Sequence, residues 1–152
     1  MWKRIRYVLG LLALCALATC PAAKRACTAK IRAREAEGLV DAIADKVEAK
    51  VSVTGHVPGT AAPLAPQVSC CEQGGECPPD PSTWGAPGWK ELEFTIDNPY
   101  RYQYEYIPEP GEQAATIRAI GNLDCDSAMS TYEMHVTVHG TSLDRTWSRQ
   151  EP

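Results

Sequence analysis

From Trp2 to Val51 the chain is one nearly continuous helical candidate, interrupted only by Pro21. It opens basic and apolar (WKRIRYVLGLLALCALATC) and continues as a charged amphipathic stretch (KIRAREAEGLVDAIADKVEAKV). A helix that is apolar all round in one half and striped in the other needs two environments. The first half suits lipid and the second suits a protein surface.

The apolar run from Tyr7 to Ala18 spans twelve residues, and seventeen if it is extended to Ala23, the lower limit for a bilayer span. Lys3, Arg4 and Arg6 precede it, so the positive-inside bias leaves the N-terminus in the cytoplasm and sends the rest across. The same features describe a secretory signal, with small residues at Ala16-Leu17-Ala18 and Pro21-Ala22-Ala23; Leu17-Ala18-Thr19-Cys20 approximates a lipobox. The expectation is a membrane anchor or signal-like segment over 1–23, meeting the inner membrane through residues 5–23.

Beyond Pro21, Ile31, Ala36, Val40, Ile43 and Val47 recur at helical spacing, while Arg32, Arg34, Glu35, Glu37, Asp41, Asp45 and Lys46 take the other faces. An amphipathic helix is expected over 24–53. The charged positions read as a solvated face rather than as catalytic carboxylates. Charge is unevenly placed: residues 1–50 hold ten Lys/Arg against five Asp/Glu, and residues 51–152 hold five against fourteen. An acidic distal half argues against nucleic acid as a partner.

Residues 54–88 are rich in Pro, Gly and Cys and read as loop. Of the seven cysteines, Cys70, Cys71, Cys77 and Cys125 lie in the part expected to be exported, where an oxidising compartment favours up to two disulfides. Three pairings are open; neighbouring Cys70 and Cys71 suit different partners, which points to Cys77 and Cys125. The spacing of the first three does not fit a zinc ribbon or finger.

From Trp89 the period changes to two, and an antiparallel sheet head is expected over 89–140. Four strands are expected: 90–96 (Leu92, Phe94 and Ile96 on one face), Tyr100 to Tyr106, Ala114 to Ile120, and Thr131 to Val138. Tyr100, Tyr102, Tyr104 and Tyr106 read as a half-buried sheet face with hydroxyls at its rim. Residues 141–152 read as a tail. The fold class expected is α+β: a long N-terminal helix, membrane stem plus amphipathic half, packed on a four-stranded antiparallel sheet.

Candidate chemistry is sparse. His56, His135 and His139 stand beside no nucleophile, so no enzymatic activity and no cofactor are expected. Asn122, Asp124, Asp126 and Glu133 have the alternate-oxygen spacing of a calcium loop, with Ser127 where that loop carries glycine. Such an Asx-rich run also serves as a tight strand connection.

The order of these parts resembles a type IV pilin or pseudopilin. The likeness lies in the proline-marked apolar helix, the amphipathic continuation with residues 32–37 (RAREAE) and 41–43 (DAI), the loop, and a small sheet. Residues 89–94 (WKELEF), the Tyr-x-Tyr-x-Tyr strand and residues 119–126 (AIGNLDCD) followed by Ser130-Thr131-Tyr132 are similar to the distal sheet of pilin-like proteins. The resemblance implies a non-enzymatic subunit of a pilus or secretion pseudopilus, single-pass in the inner membrane. Its helix would pack with those of other pilin-like subunits and its head would lie outside. The chain departs from the family at the prepilin peptidase site: Leu11 follows Gly10, and Cys15 stands where the family carries a glutamate. The rival expectation is a signal-cleaved or lipid-anchored periplasmic binding module.

Overall fold

The structure, a computed structural model, describes residues 21–150 apart from 124 and 127. The anchor expected over 1–23 therefore lies largely outside the described residues. Among those described, no helix is long and apolar enough to cross a membrane. Two units are distinguished, Met1–Ala33 and Arg34–Pro152. The described part of the first is the beginning of helix α1, Pro21–Thr54.

Within the second unit α1 buries one stripe completely: Ala36, Val40, Ile43, Ala44, Val47 and Val51 are all at 0% exposure. Steps of three and four residues keep these side chains on one face, and each buried Val or Ile contributes roughly 1.5–3 kcal/mol. The helix ends where Gly55 takes a left-handed φ of 76° and its N–H bonds Val51 O at 2.8 Å. That satisfies an orphan carbonyl in a conformation that glycine, having no Cβ, adopts without steric cost.

The stripe is covered by a five-stranded antiparallel sheet in sequential order β1-β2-β3-β4-β5. The strands are β1 Ala62–Ala65, β2 Gln103–Pro108, β3 Ala114–Gly121, β4 Ser130–His139 and β5 Ser142–Gln150. Alternation puts Ala115, Ile117 and Ala119 of β3 and Tyr132, Met134 and Val136 of β4 inside. Thr116, Arg118, Thr131, Glu133 and His135 take the opposite face. Gly121 leaves room for the Tyr102 ring, which a Cβ would strike, and Tyr102 meets Tyr132 edge-on at 5.7 Å.

Five strands, not four, make the sheet, and four of the expected assignments are corrected. Residues 90–96 are not a strand. Pro87–Leu92 forms a short helix, α2, and Glu93 closes it in the left-handed region at φ 54°. Leu92, Phe94 and Ile96 are buried nonetheless, so apolar alternation was present without a pairing partner. Conversely, the expected tail supplies β5, paired with β4 from His139↔Ser142 to Thr131↔Gln150, and the expected loop supplies β1, paired with β2. The tyrosine strand starts at Gln103 rather than Tyr100. Tyr100 instead makes an isolated bridge with Cys77. All four tyrosines are buried to 1% exposure or less, so their hydroxyls are not at a rim.

Charged side chains fasten α1 along β5. Arg149 pairs with Glu37 at 2.9 Å, Arg145 with Asp45 at 2.8 Å and with Glu48, and Leu143 N–H reaches Glu48 Oε1 at 3.4 Å. Helix numbers rise as strand numbers fall, so the two elements run antiparallel.

Candidate functional site

The four candidate cysteines, with Asn122 and Asp126, gather where the 54–88 segment meets the β3–β4 connection. Ser69 caps the short 3-10 helix Cys70–Gln73 by accepting the Glu72 N–H, and Gly74 and Gly75, at φ 93° and 91°, turn the chain back. Gly75 N–H bonds Cys70 O at 2.8 Å. This tight turn brings Cys70 to Cys77, and the two form a disulfide. Cys71, on the next side chain around, forms a second with Cys125, 54 residues away. The four candidate cysteines are thus all used, and each of the adjacent pair takes a different partner.

Beneath the turn Cys77 exchanges two backbone bonds with Tyr100, at 2.7 and 3.1 Å. Asp80 caps the next 3-10 helix, Pro81–Trp84, by accepting from Ser82 N–H at 2.9 Å and Ser82 Oγ at 2.8 Å. These bonds, side chain first, hold its carboxyl below the ordinary value. Trp84 packs edge-on against Trp89 at 5.1 Å and Phe94 at 5.3 Å, with Tyr100 at 5.9 Å. The Trp84 Nε1 and Tyr104 hydroxyl are buried without hydrogen-bond partners among the described residues. Burial pushes the Tyr104 phenol well up, with Glu35 adding to the effect, and burial likewise raises Tyr106, whose hydroxyl donates to Pro58 O at 2.7 Å.

The proposed calcium ligands are only partly brought together. Asn122 Oδ1 accepts the Asp126 N–H at 3.1 Å and its amide donates back to Asp126 O; Asp126 Oδ1 accepts the Ala128 N–H at 2.6 Å. This is an Asx-stabilised turn, carrying Cys125 in the left-handed region at φ 58°. Glu133 does not turn toward it. Its carboxylate accepts from Arg118 Nε at 2.8 Å, and Arg118 Nη1 holds Glu105 at 2.7 Å, a row across three strands. Hydrogen bonding to Glu133, against burial, raises the Arg118 guanidinium further, fixing its charge. Asp124 lies outside the described residues. Among those described, no group of three or more His, Cys, Asp or Glu is arranged to hold a metal ion.

A shallow groove of about 420 Å³ runs beside β1, lined by Pro63, Leu64, Pro66, Val68 and Thr83 among others. Its hydroxyls belong to Ser82, engaged with Asp80, and Thr83, hydrogen-bonded to Tyr100. His135 faces Glu109 at 3.7 Å and His56 faces Gln113 at 2.9 Å. The chemistry of the assembled residues is that of cross-linking and charge pairing.

Two constellations escaped the sequence reading. Arg101 joins Glu35 at 2.9 Å to Glu76 at 2.7 Å, and Arg145 serves Asp45 and Glu48 together. Burial depresses the Arg145 guanidinium, but hydrogen bonds to Asp45 and Glu48 outweigh it and leave it raised. The only sequence signal was an excess of acid on one flank of α1 with no local base to match it. Comparison with protein-family models, curated proteins and solved structures finds no match to this chain.

Proposed function

We propose that this chain is a type IV pilin-like or pseudopilin-like structural subunit, anchored in the inner membrane through residues 5–23 and contributing to a pilus or secretion pseudopilus. The observation that carries this reading is the buried stripe from Ala36 to Val51. The helical stretch that follows the apolar segment is a core element of the sheet domain rather than a tether to it. A subunit built that way transmits position from an N-terminal helix to a head.

Support also comes from the two disulfides, which suit a head outside the cytoplasm, where thiols are oxidised. The role is non-enzymatic. Its partners are other pilin-like subunits, met through the N-terminal helix.

N-terminal sequencing of the protein recovered from the membrane fraction tests the anchor. The expected result is a chain that retains residues 7–23. A chain beginning near Thr19, Cys20 or Lys24 overturns the reading and favours a signal-cleaved or lipid-anchored periplasmic module.

A further inference from the structure

We infer that the Cys71–Cys125 disulfide is a thiol-exchange site: a dithiol opens it by attack on Cys125, and its opening frees the β3–β4 connection while the rest of the head stays folded. This inference does not rest on the pilin-like reading. It begins from the unlike surroundings of the two disulfides.

Cys70–Cys77 is sealed. Its residues are 4% and 1% exposed. Exchange requires an attacking thiolate to touch a disulfide sulfur, so burial protects this bond. Cys71 is part-exposed and Cys125 exposed. Two cysteines adjacent in sequence thus carry one closed bond and one open to solvent, and a reductant arriving at the turn meets Cys125 first.

The bonds also differ in what they hold. The cysteine-bearing segment keeps other ties to the head. Trp89 Nε1 donates to Pro63 O at 3.0 Å, Gln103 Nε2 donates to Pro66 O at 2.7 Å, and Arg101 pairs with Glu76 at 2.7 Å. Cys77 is bridged to Tyr100 by two backbone bonds as well. The partner segment, residues 122–129, joins the end of β3 at Gly121 to the start of β4 at Ser130. The bonds described above for Asn122 and Asp126 run within that connection, to Asp126 and Ala128. They shape the turn without fastening it to a neighbour. Cys71–Cys125 is its covalent tie to the 3-10 helix Cys70–Gln73, and it sets Cys71 Sγ 2.8 Å from Asn122 O. Opening it untethers one connection and leaves the α1 stripe and the β3–β4 ladder in place.

The chemistry is two exchanges in sequence. The entering thiolate bonds Cys125 Sγ, the Cys71–Cys125 bond breaks, and Cys71 Sγ leaves with the electron pair and takes a proton from water. The second thiol of the reductant then displaces Cys125 Sγ. Two electrons and two protons have passed to Cys71 and Cys125, and the dithiol has become a disulfide.

The full-length chain in mild detergent tests this, with dithiothreitol as the dithiol and free thiols blocked beforehand by N-ethylmaleimide. Timed alkylation with iodoacetamide and peptide mapping should label Cys71 and Cys125 at least tenfold faster than Cys70 and Cys77, with circular dichroism unchanged. With 2-mercaptoethanol and an acid quench, the mixed disulfide should map to Cys125 and the free thiol to Cys71. Amide exchange within residues 122–129 should accelerate at least tenfold on reduction while β3 and β4 keep their protection. The Cys71→Ser, Cys125→Ser double variant should show that fast exchange without reductant. Opening of Cys70–Cys77 first or together with the other bond, a mixed disulfide at Cys71, loss of the dichroism on opening, or unmoved exchange in 122–129 overturns the inference.

Discussion

Glu35 holds Arg101 twice, accepting its backbone N–H at 2.6 Å through Oε1 and pairing with its guanidinium at 2.9 Å through Oε2. The same guanidinium reaches Glu76, so α1, the cysteine-bearing loop and the approach to β2 meet at one side chain. Glu35 is 19% exposed and Glu76 45%. Glu35→Ala should cost about 1–3 kcal/mol, because it strands a part-buried N–H as well as a charge. Glu76→Ala should cost less than about 1 kcal/mol. Urea denaturation of both variants checks this, and equal losses would refute the ranking.

Two glycines should respond to alanine with opposite signs. At Gly88 the added Cβ meets the backbone of Ala61 and Ala62, which cannot rotate away. Gly88→Ala should therefore destabilise by about 1–3 kcal/mol. Gly38 lies on the exposed side of α1, with nothing within 4 Å of its Cβ position. Gly38→Ala should stabilise by roughly 0.5–1 kcal/mol. Paired thermal or urea melts measure both.

The two disulfides should contribute unequally. Cys71–Cys125 closes a sequence separation of 54 residues and Cys70–Cys77 one of 7. In the chain-entropy treatment these correspond to about 4 and about 2.4 kcal/mol. Replacing Cys71 and Cys125 together by alanine should lower the denaturation midpoint more than replacing Cys70 and Cys77. The reverse order would show that packing around the buried Cys70 and Cys77 outweighs loop closure.

Alkali should unfold the head steeply. Tyr104 and Tyr106 are fully buried, and burial raises both phenols above their ordinary value of about 10. Below about pH 10 both states keep these protons and stability is unaffected. Above it the unfolded chain loses protons first, so unfolding becomes easier until the folded values are reached. The loss steepens through about pH 10 toward about 3 kcal/mol per pH unit from the two groups once the unfolded phenols are ionised, and Tyr106→Phe should remove about half of it. Denaturant titrations between about pH 9 and 11 would show an unchanged slope if Tyr106 were not a contributor.

Strong period-two segments were legible: β3 and β4 lie within a residue or two of the expected 114–120 and 131–138. So was the α1 stripe at Ala36, Val40, Ile43 and Val47. β5 was hidden because its helix-side row is Leu143, Arg145, Trp147 and Arg149, in which arginine stems stand where alternation looks for apolar residues. The 90–96 segment misled in the other direction. Trp89 and Leu92 also fit helical spacing, and Pro87 was the start signal that alternation at Leu92, Phe94 and Ile96 overrode. In the acidic loop the spacing was visible but the partner of Glu133 was not, since Arg118 approaches it only through the β3–β4 register. The disulfide pairing likewise depended on folded proximity rather than on spacing.

The Trp89 indole on the Pro63 carbonyl has a consequence for the scale of any assembly through the sheet. A sheet with two open edges can extend without limit, copy upon copy, toward a fibre. This one has a terminus. At the β1 edge Pro63 lacks an N–H and its carbonyl is taken by Trp89 Nε1, so that side offers no continuous template for a further strand. One tryptophan and one proline make sheet growth self-limiting.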